Sequence, residues 1–350
     1  MARRRQGKPS IKPYEIEVTE MLKVGKLDSD MLKEMVIDKI TYRRPEVLTK
    51  AGVGEDCAVI DYGEYECVVS TDPITADIDQ IGKLAIHISC NDIASNGVEP
   101  LGILLAVMLP VGTTEEDIAT IMEQAGEAAK LAQVEIIGGH TEITEAVNKP
   151  VIVSTAFGRG FKGQSQSAVD MAPGDYILMT KTAGIEGTGI IADDHEEKVR
   201  SFLTEDEIKY ARGLLGKVSV VKEGVIAGKI GTNGMHDITE GGVLGAVWEL
   251  CNISGMGAEV WIRDIPVEDV TRKIAEHFGI DYLRLISSGS MLIISSPERK
   301  EEIIQALKKE GILATVIGKI TEGGEGVNTF IDGTTTAIEP PGTDELYKVI

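Results

Sequence analysis

Five short segments of the chain gather the residues that can do chemistry. Gly52-Val53-Gly54-Glu55-Asp56 sets two acids in a glycine loop ahead of an apolar run, and Ser70-Thr71-Asp72-Pro73 sets another acid at the end of the next run. Carboxylates at strand ends can converge on one edge of a sheet, where hard cations such as magnesium are held together with phosphate oxygens. Four acids of this kind suit a two-metal nucleotide site, although Asp in such a position also caps turns. A third segment, Ser89-Cys90-Asn91-Asp92-Ile93-Ala94, puts an amide and an acid on an otherwise apolar helix. An ionised carboxylate is costly to bury unless it is paired or bound to metal, which sets Asp92 above an average acid. Lys83 follows Gly82 at the start of the same helix, where it either reaches a phosphate or is an ordinary surface lysine.

The fourth segment is Ile136-Ile137-Gly138-Gly139-His140-Thr141-Glu142. Paired glycines permit close backbone approach and positive φ, so the following N–H groups, with Thr141, can cradle phosphate. His140 is a candidate acid, base or ligand and Glu142 a partner for it, unless the segment simply ends a strand in a turn. The fifth crowds His236, Asp237, Thr239 and Glu240 at the start of a helix opened by Gly241-Gly242, a place suited to an anion. A helix cap explains one of those polar residues, not four. Ser287-Ser288-Gly289-Ser290 interrupts a strand pattern, either with small donors near a ligand or with a bulge. There is no G-x-x-x-x-G-K-[ST] phosphate loop. Gly187-Thr188-Gly189-Ile190-Ile191-Ala192 mimics a dinucleotide fingerprint, but a charged helical stretch stands where the second strand belongs, so the match is treated as chance.

These segments have to be positioned by the elements around them. Apolar spacing predicts helices over 31–40, 83–96, from Thr113 or Thr114 through 132, and over 205–215, 218–227, 243–252, 267–278 and 298–310. The capping box of the third uses Glu116 or Asp117. Strands are expected at 58–60, 67–70, 101–109, 134–137, 151–157, 176–180, 258–262, 291–295 and 314–317. Alternating helices and strands argue for α/β or α+β layers, with several strands in each half and helices laid on one side. The Gly-, Ser- and Pro-rich run 160–175 marks a domain boundary. Residues 1–40 are read as an N-terminal extension and lead helix, 41–160 as a first domain and 161–350 as a second.

At 350 residues two domains are the default. The 35 Lys+Arg against 56 Asp+Glu leave a net charge of −21, which repels nucleic acid and anionic lipid, so a polyanionic ligand needs metal ions. No run approaches transmembrane length, and the basic cluster Arg3, Arg4, Arg5, Lys8 and Lys12 lacks the apolar segment of a signal peptide. Cys57, Cys67, Cys90 and Cys251 are too scattered for a disulfide framework or a C-x-x-C zinc site, which fits reduced thiols in a cytoplasmic protein.

Taken in order and spacing, these segments resemble a superfamily that includes aminoimidazole ribonucleotide synthetase, selenophosphate synthetase, thiamine monophosphate kinase and the hydrogenase maturation protein that dehydrates a carbamoyl group. The resemblance runs from about residue 50 to 295, through GVGEDCAVI, STDPI, IGKLAIHISCNDIASNGVEP, IIGGHTE, HDITEGGVLGA and LISSGSMLII. It implies a two-domain PurM-like fold. The N-terminal α/β domain would bind ATP and pair its strands with a second subunit; the C-terminal α+β domain, with helices on one side of a mixed sheet, would serve substrate and phosphate. It also implies ATP with Mg2+ on Asp56, Asp72, Asp92 and Asp237, and a nucleotide lined by Gly54, Thr71, Lys83, Asn91, Gly138, Gly139 and Thr141. His140, Glu142 and Asp237 would then be the catalytic candidates.

The implied chemistry is ATP activation of an amide or carbamoyl oxygen, by phosphorylation or dehydration, in a homodimer that is a ligase or phosphotransferase. A nucleotide-binding maturation protein that works through a partner is the alternative. Several features depart from individual members. The chain ends Tyr347-Lys348-Val349-Ile350 and not in the cysteine of the maturation protein; residues 1–40 hold no cysteine of the selenophosphate type. Ser288-Gly289-Ser290 replaces the kinase's G-D-Y, His140 replaces the purine enzyme's acid, and Glu55 replaces a more usual Asp. A separate branch, closest in texture to the maturation type, is the expectation.

Overall fold

The computed structural model describes residues 22, 25, 27–76, 78–324, 326–331 and 333–349. The basic N-terminal cluster and the last residue lie outside them. Among the described residues no helix is long and apolar enough to cross a membrane.

The first half builds one six-stranded sheet from β1 (Val47–Thr49), β2 (Ala58–Asp61), β3 (Tyr65–Ile74), β4 (Pro100–Leu109), β5 (Glu135–Ile143) and β6 (Val151–Phe161), in the order β1-β2-β3-β6-β4-β5. A short lead helix α1 (Ser29–Met35) precedes it, and α2 (Ile78–Ser95) and α3 (Glu115–Ala132) cover one face. The strands alternate as half-buried strands should. Val68, Ile103, Leu105, Val107, Ile152 and Ala156 point into a core with Ile81, Ile86 and Ile93 of α2 and Ile121 and Ala125 of α3. Thr114 caps α3 in a capping box whose acid is Asp117.

The strand expected to stop at the paired glycines continues through them to Ile143. Both glycines take positive φ, and a Cβ at Gly139 would fall inside the Leu105 carbonyl of β4, so glycine here lets two strands close up and does not form a loop.

After β6 the chain is pinned through the boundary segment. Buried Glu66 accepts from the amides of Gly163 (3.0 Å) and Ser165, and Gln166 ties Gly228 O (2.8 Å) to Thr232 N (2.9 Å). The second half contains α4 (Ile185–Asp194), α5 (Glu196–Val199), α6 (Glu205–Gly213), α7 (Val221–Ile230), α8 (Gly242–Ser254), α9 (Asp269–Phe278) and α10 (Lys300–Lys309). Its seven strands are β7 (Tyr176–Thr180), β8 (Gly234–Asp237), β9 (Gly257–Trp261), β10 (Met291–Ser295), β11 (Ala314–Thr321), β12 (Val327–Ile331) and β13 (Thr334–Ala337), in the order β13-β12-β9-β11-β7-β10-β8. The sheet is mixed, since β12 runs parallel to β9 and the remaining pairs are antiparallel.

Helices on one side only was the expectation, and the structure corrects it. Ile177, Met179, Leu292 and Ile294 pack with α8, whereas Leu178, Met291 and Ile293 pack with α7 and α10 on the other face. The cause is visible in β10, where four successive apolar residues, Met291-Leu292-Ile293-Ile294, are followed by Ser295 and all five are buried. Gly187 and Gly189 of the dinucleotide-like stretch sit inside α4, pressed against Leu285 and Leu215, and form no phosphate loop.

Candidate active site

Four elements deliver acids to one cavity of about 1080 Å³. Asp56 comes from the loop before β2, Asp72 from β3, Asp92 from the C-terminal half of α2 and Asp237 from the end of β8. Asp72 is paired with Ser154 of β6 and shares its face with Ser70, whose hydroxyl donates to Asp92 Oδ2 (2.5 Å); both therefore point toward the α2 layer. Asp237 belongs to the other sheet and approaches α2 closely enough for Ser95 Oγ to lie 3.5 Å from its Oδ1. The site thus lies where the halves meet, and α2 joins them. Asn91 grips the second half at both ends of its amide, donating to Val218 O (2.8 Å) and accepting from Val220 N (2.8 Å). A Cβ on Gly224 of α7 would run into the Ala94 carbonyl of α2, so the two helices touch backbone to backbone.

The electrostatics of the cluster call for positive charge. Burial, then the neighbouring Asp237, Asp56 and Asp72, hold the Asp92 carboxyl well above the usual carboxylate range. Burial and Asp56 lift Asp237 to about 7, with His236 partly offsetting them. Burial alone would strip the proton from His236, but Asp56, Glu249 and Asp237 overcome it and raise its pKa to about 10. Its Nδ1 donates to the Asp237 main-chain oxygen (2.7 Å) and lies 3.6 Å from Asp56 Oδ2, with Nε2 3.4 Å from Glu249 Oε2.

Asp56, His236 and Asp237 offer ligand atoms within 4.8 Å of one another. The carboxylate oxygens of Asp56 and Asp237 are donors of the kind that hard cations prefer. Asp237 Oδ2 is buried without a hydrogen-bond partner, as a coordinating atom would be. A magnesium ion therefore fits the donors that are here.

Other expected site residues lie elsewhere or are engaged. Gly54 turns the loop ahead of Asp56 at φ 85°. Thr71 points away from the acids and pairs with Thr155 (2.9 Å) on the uncovered face of the first sheet. Asn91, expected along the nucleotide, is used up in the joint, and Lys83 Nζ donates to Leu215 O (2.6 Å) instead of aiming at a phosphate. Gly138, Gly139, His140, Thr141 and Glu142 lie on edge strand β5, three strands from β3. His140 pairs with Ala106 in register, on the face opposite α2, and its Nε2 is 3.3 Å from Glu142 Oε2 in an exposed pair. Within one chain these residues do not meet the acids.

Sequence reasoning missed Glu186, which faces the cavity from α4 immediately before the glycine pattern set aside as chance, and Asp344, which reaches it from the C-terminal segment. Unusual placement was the only signal for Glu186: an acid in an apolar, glycine-rich stretch.

Two α/β layers joined over a cavity that acids from both halves line define the class of architecture. Sequence comparison places it more closely. The AIR synthase related protein N-terminal domain matches residues 54–160 and the C-terminal domain of the same description matches residues 172–330. The chain belongs to this family, and its two-domain PurM-like fold is the family's.

Among relatives, a Methanocaldococcus jannaschii protein named for hydrogenase expression/formation is 27% identical over 316 residues, 87% of this chain and 90% of that protein. The carbamoyl dehydratase HypE of Azotobacter vinelandii is 28% identical over 244 residues, 69% of each chain. Of solved structures, the HypE–HypF complex aligns with TM-score 0.74 at 22% identity, covering 89% of this chain and 99% of that one. HypE in complex with ATP aligns with TM-score 0.71 at 21% identity, covering 93% and 98%.

Proposed function

We propose that the chain is an ATP-dependent enzyme that phosphorylates or dehydrates a small amide- or carbamoyl-like substrate, with Mg-ATP held by Asp56, Asp72, Asp92 and Asp237. The observation that carries the reading is the convergence of these four carboxylates, drawn from both halves, on one cavity, with Asp237 Oδ2 left unpartnered there. The kinship with a carbamoyl dehydratase and the ATP complex of a protein with this fold support the choice of ligand and substrate class. Bound magnesium would neutralise the triphosphate, which a cavity of this acidity otherwise repels. The chain's own contribution is positioning: α2 sets Asp92 against Asp237, and Ser70 and Ser95 orient the two carboxylates.

On this reading residues 41–160 form the ATP-binding and dimerisation domain and 161–350 the substrate and phosphate domain. The uncovered face of the first sheet would be the dimer face, and His140 and Glu142 would act only there. Calorimetry with Mg-ATP tests the assignment. Asp92→Ala should bind at least about tenfold more weakly than the parent while circular dichroism shows the fold retained; unchanged affinity removes the role of Asp92. The HypE–HypF complex favours a second reading, a maturation protein acting through a partner. Phosphate release stimulated by a small amide supports the enzyme, whereas slow, substrate-independent release supports the partner reading.

A further inference from the structure

The same cavity holds a second set of polar atoms that the nucleotide reading does not use. Glu186, in the first turn of α4, is 5% exposed, and Ser288, between β10 and the preceding loop, is 1% exposed; both line the cavity. Glu186 Oε2 and Ser288 Oγ each lack a hydrogen-bond partner. The Ser288 hydroxyl and main-chain amide both approach Glu186 closely enough to favour its charged form in part, and neither closes a hydrogen bond on Oε2.

The frame around them is rigid. Ser287 Oγ accepts from Gly184 N (2.8 Å), Ser290 Oγ donates to Thr182 O (2.6 Å), and Lys181 Nζ donates to Gly289 O (2.7 Å). Together these bonds hold the turn that carries Ser288 against residues 181–184, the segment that leads into α4.

Buried polar atoms left open in this way cost stability unless something else pairs with them. A divalent cation is a poor candidate. It is held chiefly by carboxylates, and the nearby Asp344 is already engaged by the amides of Gly241 (2.7 Å), Leu346 (2.8 Å) and Ile286 (3.2 Å). An anion is repelled, because ten of the residues lining the cavity are acidic and one, Lys149, is basic. What remains is a ligand group that brings hydrogen-bond donors and no negative charge.

We infer that Glu186 and Ser288 recognise the nitrogen end of the substrate, a planar group with N–H donors such as a primary amide or an amidine. Calling that ligand the substrate rests on the function proposed above; the recognition of N–H donors does not.

Acetamidinium, acetamide and acetate have nearly the same shape and differ in donors and charge, so they serve as probes. Saturation-transfer NMR on the full chain, with and without Mg-ATP, should show acetamidinium and acetamide binding and acetate silent. Glu186→Ala should weaken both binders about tenfold or more, the scale of a charge-assisted hydrogen bond. Glu186→Gln, which keeps an acceptor but not the charge, should retain acetamide and erase the advantage of acetamidinium. Ser288→Ala removes an unpartnered hydroxyl, so it should weaken the probes several-fold with an unchanged melting temperature, which separates recognition from folding. Acetate binding as well as acetamide, or probe affinities that no variant alters, overturns the inference. Calorimetry on the same samples reports Mg-ATP separately: loss of nucleotide binding in the parent would sink the proposed function while the probe series still decides this site.

Discussion

At the scale of single residues, the cavity trades stability for charge. Asp92 and Asp237 are buried beside two further carboxylates; burial raises both, Asp56 and Asp72 add to each rise, and Asp237 adds to that of Asp92. Asp92→Asn removes one repelling partner yet keeps an oxygen for Ser70. The metal-free variant should therefore melt at a higher temperature than the parent, while the rise that Mg2+ gives the parent should shrink or vanish. A variant that melts lower without metal and is stabilised equally by Mg2+ would contradict the cation assignment.

Glu186 makes the same trade without belonging to that cluster. Burial, partly offset by Ser288, raises it to about 7. Below about 4.5 the carboxyl is protonated in folded and unfolded chains alike; between 4.5 and 7 the folded chain binds more protons, so stability falls as pH rises through that window. Glu186→Gln should match the parent near pH 4 and exceed it near pH 8 by at most about 3 kcal/mol, read from denaturant melts at both pH values. Of these residues, Asp56, Asp72, Asp92 and Asp237 were legible in the sequence, because an acid in an apolar or glycine-rich context stands out. His140 and Glu142 stood out less, sequence does not show which face of β5 they take, and a register set by a bulge turns them away from the acids.

Among the elements, α2 carries the most. Its first half packs on α3, and its second half meets α7 at Gly224, while Asn91 ties it to residues 218–220. Gly224→Ala would press a methyl into the Ala94 carbonyl, an obstacle that no side-chain rotation relieves. It should destabilise the chain by about 2–3 kcal/mol. It should also weaken Mg-ATP binding in the protein that remains folded, because Asp92 then shifts from Asp237 without any change in the site itself. Full affinity in folded Gly224→Ala would show that the joint does not set the site. Most of the helices, and the strands Met291–Ser295 and Tyr176–Thr180, were readable from apolar runs. α4, β1, β8, β12 and β13 were not, and β5 was expected to end early. β8 is only four residues long, and its polar end, His236-Asp237, reads as a helix cap. β5 runs through two glycines that ordinarily break a strand, because backbone approach across a sheet leaves no trace in a single sequence.

For the whole molecule, the open question is what covers the other face of the first sheet. Val69, Phe157, Val153 and Leu104 point away from the α2–α3 layer, and Ile137 lies over Gly102 beside them; all five are at least partly exposed in one chain. A sheet covered by helices on one side and carrying exposed apolar side chains among polar ones on the other is suited to an interface. The proposed homodimer supplies the other half. Leu104 is 36% exposed and does not belong to the core cluster, so Leu104→Lys should leave the monomer folded while placing a charge in the centre of that face. Sedimentation should show the parent as a dimer and Leu104→Lys as a monomer at the same concentration. If the dimer forms and His140 acts only within it, the variant should also lose turnover while keeping Mg-ATP affinity, since the four acids belong to a single chain. A variant that remains dimeric would place the interface elsewhere, and a monomer with full turnover would remove His140 and Glu142 from the chemistry.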